Sequence, residues 1–154
     1  MRFEHVIQVT DPGNPLVPPM SREELWAGVL ARVDEPQRFP LGPDDCLLRA
    51  GAGGSSRERT LRFGALELHD EVKLEPLHRA SFHPKPHAGQ PPVRLTIAIE
   101  EPSAGELLLR FVYESDEVVR ASEAALYSLR EQAWLQHDLD MVRTLRAWQQ
   151  EGCL

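Results

Sequence analysis

The stretch Leu95–Glu114, LTIAIEEPSAGELLLRFVYE, decides the fold, because it predicts two strongly apolar β-strands that bend back on each other. Apolar residues recur at every second position along both halves, as they do in strands that have one covered face. Glu100 and Glu101 lie at the bend, and Arg110 interrupts the second strand. The stretch therefore raises two possibilities, a charged active site or an apolar face that is itself functional.

A period of two sorts the side chains of this hairpin onto two faces. One face is apolar apart from a glutamate beside the bend, and it carries Leu95, Ile97, Ile99, Glu101, Leu107, Leu109, Phe111 and Tyr113. On the opposite face, Glu100 and Arg110 become outward-facing cross-strand neighbours. Because Glu100 and Glu101 point to opposite faces, they cannot form a carboxylate pair for acid–base chemistry unless a bulge intervenes.

A second hairpin is predicted over residues 57–74, with Gly64-Ala65 as its turn, because glycine at the first central position suits a type II′ turn. That turn pairs three sets of residues on the apolar face: Phe63 with Leu66, Leu61 with Leu68, and Arg59 with Asp70. An ion pair therefore falls on the face that should be covered. Two interpretations stay open, a half-wetted structural pair near the edge of the sheet or a buried pair inside a cavity.

The other elements give the order strand, helix, run of strands, long helix, which is an α+β arrangement. Phe3–Val9 alternates as a strand. A capping box, Ser21-Arg-Glu-Glu24, opens a helix that runs to Val33. The pattern is β from Cys46 to Glu114, and Ala121–Gln150 predicts a long helix with no internal glycine or proline. We therefore expect an antiparallel sheet covered by the last helix.

The last helix presents a stripe of large side chains, most of them spaced by seven residues: Tyr127, Trp134, Met141, Leu145 and Trp148. Three polar residues, Glu131, His137 and Asp138, lie in the same sector. A plain core is one interpretation of this stripe. A close-packed core prefers branched aliphatic residues and avoids charges, so adaptable side chains with embedded polar groups favour a cavity with orienting contacts.

Composition limits the function classes. A chain of 154 residues predicts a single domain, 1–154, and the net charge of −7 argues against nucleic acid or an anionic membrane as the main partner. No apolar run approaches the roughly 18 residues that spanning a bilayer needs, so no membrane insertion is expected. The N-terminal residues lack the apolar run of a signal peptide, and two cysteines cannot build a disulfide framework. These features predict a cytoplasmic protein.

The sequence carries none of the common catalytic or metal-binding motifs. The sequence contains no P-loop, no Gly-x-Ser-x-Gly elbow and no His-Glu-x-x-His motif. Prolines hold His83 and His87 in an extended segment with no adjacent acid or cysteine, so no metal site is expected. His5, in the first strand, is interpreted as a structural histidine. We predict no cofactor and assign no catalytic residue.

Three segments resemble the AtaL-like family of the START-like (SRPBCC) superfamily. They are FEHVIQVTDP (3–12), SREELWAGVLAR (21–32) with the Glu35-Pro36 that follows, and IEEP (99–102) with GELLLRFVY (105–113). The resemblance implies a helix-grip fold, in which a curved antiparallel β-sheet wraps around a long C-terminal α-helix and encloses a cavity. It also implies that the short helix after the first strand and the proline-rich loops lie near the cavity mouth. Members of this superfamily bind lipids, sterols, polyketides or plant hormones, and a minority are cyclases or hydrolases.

Three functional hypotheses follow. The first is a non-enzymatic protein that binds a hydrophobic small molecule, lipid-, polyketide- or hormone-like, between sheet and helix. Its predicted ligand-binding residues are Arg59, Phe63, Leu68, Asp70, Leu109, Phe111, Tyr113, Trp134, His137, Met141 and Leu145. The second is a cyclase or hydrolase that uses Asp70, His137 or Glu101 as acid or base. The third is a partner-binding module, which requires an exposed apolar patch.

Overall fold

The computed structural model describes residues 1–154, apart from the side chain of Ala52. The elements follow in the order β1 (Arg2–Gln8), α1 (Arg22–Asp34), β2 (Asp45–Ala50), β3 (Ser56–Phe63), β4 (Leu66–Glu75), β5 (Arg79–Pro84), β6 (Arg94–Ser103), β7 (Glu106–Glu114) and α2 (Ala124–Gln150). Short 3₁₀ turns follow α1 at Pro36–Arg38 and precede α2 at Ala121–Glu123. The last helix therefore begins three residues later than the sequence predicts.

The strands form one antiparallel sheet in the order β1-β7-β6-β5-β4-β3-β2. Each neighbouring pair after β1 is consecutive in the chain, so the sheet is a meander onto which β1 is added beside β7. The sheet curves around α2, and the short α1 follows the first strand. The predicted α+β class and helix-grip fold are confirmed.

The predicted register of the β3–β4 hairpin and the predicted apolar face of the β6–β7 hairpin are confirmed. In β3–β4, Arg59 lies opposite Asp70 and Leu61 opposite Leu68. Gly64 adopts a φ of +61°, which glycine tolerates without steric cost, at the first central position of this turn. The β6–β7 pairing likewise places its apolar residues opposite one another: Leu95 with Tyr113, Ile97 with Phe111, and Ile99 with Leu109.

The two glutamates at the bend of the β6–β7 hairpin serve different partners. The register shifts between Glu100 and Ser103, so the irregularity that could bring the two carboxylates together is present. Nevertheless, Glu100 accepts two hydrogen bonds from Arg110, at 2.7 and 3.0 Å. Glu101 accepts hydrogen bonds from Arg22 and from the backbone N–H of Gly105. The sequence expectation that the two glutamates do not act as a pair agrees with these contacts.

Helix α1 packs tightly onto α2. Its capping box is complete, because Ser21 and Glu24 each accept a hydrogen bond from the backbone N–H of the other, both at 3.0 Å. A Cβ added at Gly28 would lie 2.6 Å from both terminal methyl carbons of Leu145 on α2. The absence of a side chain at Gly28 therefore allows the close approach of the two helices.

The second half of α2 carries its buried residues, Asp138, Met141, Val142 and Leu145. They face a core formed with α1 and the inner face of the sheet, which includes Leu25, Val29, Ile97, Leu109 and Phe111. The first half of α2 is largely exposed. None of the described helices combines the length and apolarity that crossing a membrane requires.

Candidate functional site

A cavity of about 280 Å³ lies between the sheet and α2, beneath the loop that follows α1. Its size is close to the lower end of the roughly 300–1,000 Å³ range of small-molecule sites. Most of its wall is apolar, and five polar side chains interrupt it: Arg32, Arg59, Asp70, Tyr113 and His137. Among the described residues, no His, Cys, Asp or Glu side chains form a group of three or more that could hold a metal ion.

Arg59 and Asp70 form a buried ion pair in this wall. Only 5% and 9% of their side-chain surfaces are exposed. Nε and Nη2 of Arg59 donate to the two carboxylate oxygens of Asp70, at 2.8 and 2.6 Å. The guanidinium carbon also lies 5.1 Å from the centre of the Phe82 ring. Because β2 pairs beyond β3, this pair does not lie at the edge of the sheet, and the geometry agrees with the interpretation of a buried pair.

Arg59 also ties α1 to the sheet. Its Nη1 donates to the carbonyl oxygens of Val33, at 2.8 Å, and of Arg32, at 3.3 Å. Carbonyls in the last turn of a helix lack partners within the helix, so these hydrogen bonds satisfy groups that would otherwise be unpaired. The pair therefore supports the cavity wall at the point where α1 meets the sheet.

A second buried polar group lies behind the cavity, centred on Asp138 of α2, whose side chain is fully buried. Arg32 of α1 donates through Nη1 to its Oδ1 at 2.8 Å. Its Oδ2 lies 2.9 Å from Nε2 of His5 on β1 and accepts a hydrogen bond from the hydroxyl of Tyr113 on β7 at 2.7 Å. One carboxylate thus joins both helices to two neighbouring strands.

Opposing effects set the pKa values in this group. Burial raises the pKa of Asp138. The hydrogen bond to His5, the charge of Arg32 and the Tyr113 hydroxyl together lower it by a larger amount, so the pKa lies below its ordinary value. Burial and the neighbouring Asp138 charge raise the pKa of Tyr113 well above its usual range. At neutral pH the carboxyl is therefore ionised and the phenol is protonated.

His137 presents a neutral imidazole to the cavity. Its Nδ1 lies 3.1 Å from Nη2 of Arg32, and a guanidinium can only donate, so Nδ1 accepts and the ring proton is on Nε2. Burial and the charge of Arg32 lower the pKa of His137, which favours this neutral form. Nε2 is not buried and has no hydrogen-bond partner among the groups that the structure describes. It is therefore a donor without a partner, on a residue that lines the cavity.

Aromatic stacking holds one side of the cavity. The rings of Tyr113 and Trp134 are nearly parallel, with centres 4.3 Å apart and an angle of 6° between their planes. Arg130 lies over the Trp134 ring at 4.8 Å and is itself paired with Glu117 at 2.8 Å. Trp134 is thereby positioned by partners on α2, on β7 and in the segment between them.

The loop after α1 forms part of the cavity wall. Phe39, Pro40, Leu41, Gly42 and Pro43 all line the cavity. Leu41 has a φ of +60°, which is uncommon for a residue other than glycine, and its side chain is 84% exposed. An exposed apolar residue with a strained backbone conformation thus lines the cavity.

Seven of the eleven predicted site residues line the cavity: Arg59, Phe63, Asp70, Tyr113, Trp134, His137 and Met141. The structure does not place the other four there. Leu109, Phe111 and Leu145 are buried in the core, and Leu68 lies on β4 opposite Leu61 without lining the cavity. Glu101, the proposed alternative acid, pairs with Arg22 outside the cavity. Contact of any of these residues with a ligand stays a prediction.

Sequence reasoning missed Arg32 as a cavity residue. Its position seven residues after Leu25 places it on the buried side of α1, which was the available signal. His5 alternates with Phe3 and Ile7 on β1, and it contacts Asp138 as an inward-facing structural histidine would.

Exposed apolar side chains gather near the start of α2. Val118, Leu126 and Leu129 are 81%, 68% and 62% exposed. Tyr127 and Arg130 border a shallow depression beside the two leucines. The partner-binding hypothesis requires an exposed apolar patch larger than a few hundred Å², and it stays a prediction for this surface.

Comparison with known families gives a match over almost the whole chain. The family described as AtaL, acetylaranotin biosynthesis cluster protein L, matches residues 7–152. No curated protein matches the sequence significantly.

Three solved structures share this fold at sequence identities of 9–16%. The Zhui aromatase/cyclase from Streptomyces sp. R1128 has a TM-score of 0.61 and 10% identity, over 96% of this chain and 94% of that one. The di-domain aromatase/cyclase StfQ of the steffimycin pathway has a TM-score of 0.64 and 9% identity, over 97% of this chain and 50% of that one. The Aha1 dimer from Colwellia psychrerythraea has a TM-score of 0.60 and 16% identity, over 94% and 96%. At these identities the likeness establishes the fold alone.

Proposed function

This chain belongs to the AtaL family, within the START-like superfamily, and from that premise we propose that it binds a hydrophobic small molecule in the cavity between the sheet and α2. The observation that carries the proposal is the cavity itself, about 280 Å³ with largely apolar walls and a few convergent polar side chains. Sites with this composition bind small molecules by apolar burial and use the polar groups to orient them.

The dimensions of the cavity favour a compact ligand. Arg59 and Asp70 lie toward the sheet side, and Tyr113 and Trp134 provide a stacked aromatic wall. Flat ring systems bury a large area against such a wall. A polyketide- or hormone-like ring compound therefore fits the proposal better than a long acyl chain.

The test combines ligand recovery with fluorescence. Protein purified from its native host is denatured and its extract examined by mass spectrometry, and candidate ring compounds are titrated while tryptophan emission is recorded. We expect a copurifying apolar compound and quenching that disappears in Trp134→Phe but persists in Trp26→Phe, because only Trp134 of these two lines the cavity. No copurifying compound and no quenching at tens of micromolar would contradict the proposal.

A second candidate function is a cyclase-type enzyme. The observation that favours it is that Asp70 and His137, a carboxylate and a neutral imidazole, line the same cavity. The Zhui and StfQ proteins are described as aromatase/cyclases and have this fold. Asp70→Asn and His137→Ala would then abolish a turnover that the unmodified protein performs on a poly-carbonyl substrate, while binding of an inert ring compound persists.

A further inference from the structure

We infer that the cavity selects an uncharged, carbonyl-bearing apolar molecule over the corresponding carboxylate, and that the carbonyl oxygen accepts a hydrogen bond from Nε2–H of His137. This inference rests on the proposed binding function and specifies the chemistry of the ligand. It follows from two features of the described residues, the orientation of the His137 ring and the pairing of the charges around it.

The hydrogen-bond donor is set by Arg32. Nη2 of Arg32 lies 3.1 Å from Nδ1 of His137, and because a guanidinium has no lone pair to offer, Nδ1 must be the acceptor. The proton of the neutral ring is then on Nε2, which is not buried and belongs to a side chain that lines the cavity. A ligand carbonyl is the complementary group, since it accepts a hydrogen bond and carries no net charge.

Arg32 is held in turn by Asp138. Its Nη1 donates to Oδ1 of Asp138 at 2.8 Å, while its Nη2 reaches His137. Asp138 is fixed by further hydrogen bonds with His5 and Tyr113. Arg32 is therefore a positioning residue, which acts on the ligand through the tautomer of His137.

The charges of the site argue against a carboxylate ligand. Arg32 is paired with Asp138, and Arg59 is paired with Asp70, so each cation near the cavity already faces a carboxylate. A second carboxylate would be removed from water without a free cation to compensate it, which is costly in a largely apolar site. A neutral carbonyl compound avoids that cost.

Three probes of similar shape distinguish a preference for a neutral carbonyl from binding of a carboxylate or of a plain hydrocarbon. They are 2-acetonaphthone, 2-naphthoate and 2-isopropylnaphthalene. Calorimetric titration at pH 7.5 should show the ketone binding about tenfold more tightly than the hydrocarbon, the gain of one satisfied hydrogen bond, and more tightly than the carboxylate. In His137→Phe the ketone should lose its advantage while hydrocarbon binding persists. His78→Phe, which changes an exposed histidine in the β4–β5 turn, should behave as the unmodified protein does.

A spectroscopic measurement tests the role of Arg32. In ¹⁵N-labelled protein, the ring nitrogens of His137 should report a protonated Nε2 and an unprotonated Nδ1. Arg32→Met should give a mixture of tautomers and reduce the preference for the ketone without reducing hydrocarbon binding. If Arg32→Met does not fold, the unmodified protein still decides, because a protonated Nδ1 there overturns the inference.

The outcomes distinguish the inference from the function on which it rests. Hydrocarbon binding without a preference for the ketone, or carboxylate binding as tight as that of the ketone, overturns the inference and leaves the binding function standing. No binding of any of the three probes overturns the inference, and if no ligand copurifies either, the proposed function is overturned with it.

Discussion

Arg59 of β3 lies directly opposite Asp70 of β4 and holds it through two hydrogen bonds, while its third nitrogen donates to the carbonyl oxygen of Val33 at the end of α1. One buried guanidinium thus joins two strands, a helix end and the cavity wall. The pair compensates two charges that would each be costly to bury alone.

Removing one member of this pair should destabilise the protein more than removing both. We expect Asp70→Leu to lower the free energy of unfolding by about 3–5 kcal/mol, because it leaves Arg59 buried without a counter-ion. Arg59→Met combined with Asp70→Leu should lose less, since only the hydrogen bonds to the α1 carbonyls are then missing. Urea denaturation measures both variants. A double variant as unstable as Asp70→Leu would contradict the argument.

Gly28 should resist substitution although it lies within a helix. Gly→Ala in a helix interior usually stabilises by about 1 kcal/mol. Here the added Cβ would meet the terminal carbons of Leu145 at 2.6 Å, and overpacking typically costs about 1–3 kcal/mol. We expect Gly28→Ala to lower the thermal midpoint, and Leu145→Val to recover part of the loss when combined with it. A raised midpoint in Gly28→Ala would show that the helices separate easily.

Of the two buried ion pairs, one could be predicted from the sequence and the other could not. Arg59 and Asp70 are joined by a two-residue turn, so strand alternation and turn chemistry fix their register, and the sequence predicts their contact. Arg32 and Asp138 are 106 residues apart on two helices, and their contact depends on how those helices pack. No local pattern specifies that packing.

The same limit applies to the cavity. Alternation identifies which strand residues face inward, but Leu109 and Phe111 share a face with Tyr113 and only Tyr113 lines the cavity. The difference arises from where α2 presses on the sheet. A periodic pattern predicts the covered face, whereas the boundary between core and void depends on three-dimensional packing.

Tyr113 should stabilise the protein through the charge on Asp138. Its hydroxyl donates to Oδ2 at 2.7 Å, and a hydrogen bond to a charged group contributes about 1.5–3 kcal/mol. The pKa of Asp138 is lowered from its ordinary value of 3.8, so its contribution is complete above that pH and is lost as the pH falls through the folded-state pKa. We expect Tyr113→Phe to destabilise at pH 7 and the deficit to shrink in acid.

The matched control for this comparison is Tyr127→Phe, because Tyr127 stacks with Arg130 and has no role at Asp138. Urea denaturation of both variants, from pH 7 down to the lowest pH at which the protein stays folded, provides the measurement. If the loss of unfolding free energy in Tyr113→Phe does not change with pH, the hydroxyl does not stabilise the protein through the charge of Asp138.

His137 should make stability depend on pH in the neutral range. Its pKa is lowered from the ordinary value of 6.5 because burial and Arg32 disfavour the charged ring. As the pH falls below about 6.5, His137 binds a proton in the unfolded chain but not yet in the folded protein. The free energy of unfolding therefore decreases until the pH has passed the folded-state pKa. His137→Asn should reduce this slope between pH 7.5 and 5. A pKa of His137 above 6.5, measured by NMR titration, would contradict the argument.

Leu41 should contribute to ligand binding more than to stability. Its φ of +60° is tolerated by asparagine, and its side chain is already 84% exposed, so Leu41→Asn should change the free energy of unfolding little. Covering an apolar side chain on binding contributes a large part of the roughly 1.5–3 kcal/mol of full burial, so affinity for 2-isopropylnaphthalene should fall about tenfold. Leu77→Asn is the matched control, since Leu77 has a φ of +67° in a turn outside the cavity. Equal affinities of the two variants would show that the ligand does not cover Leu41.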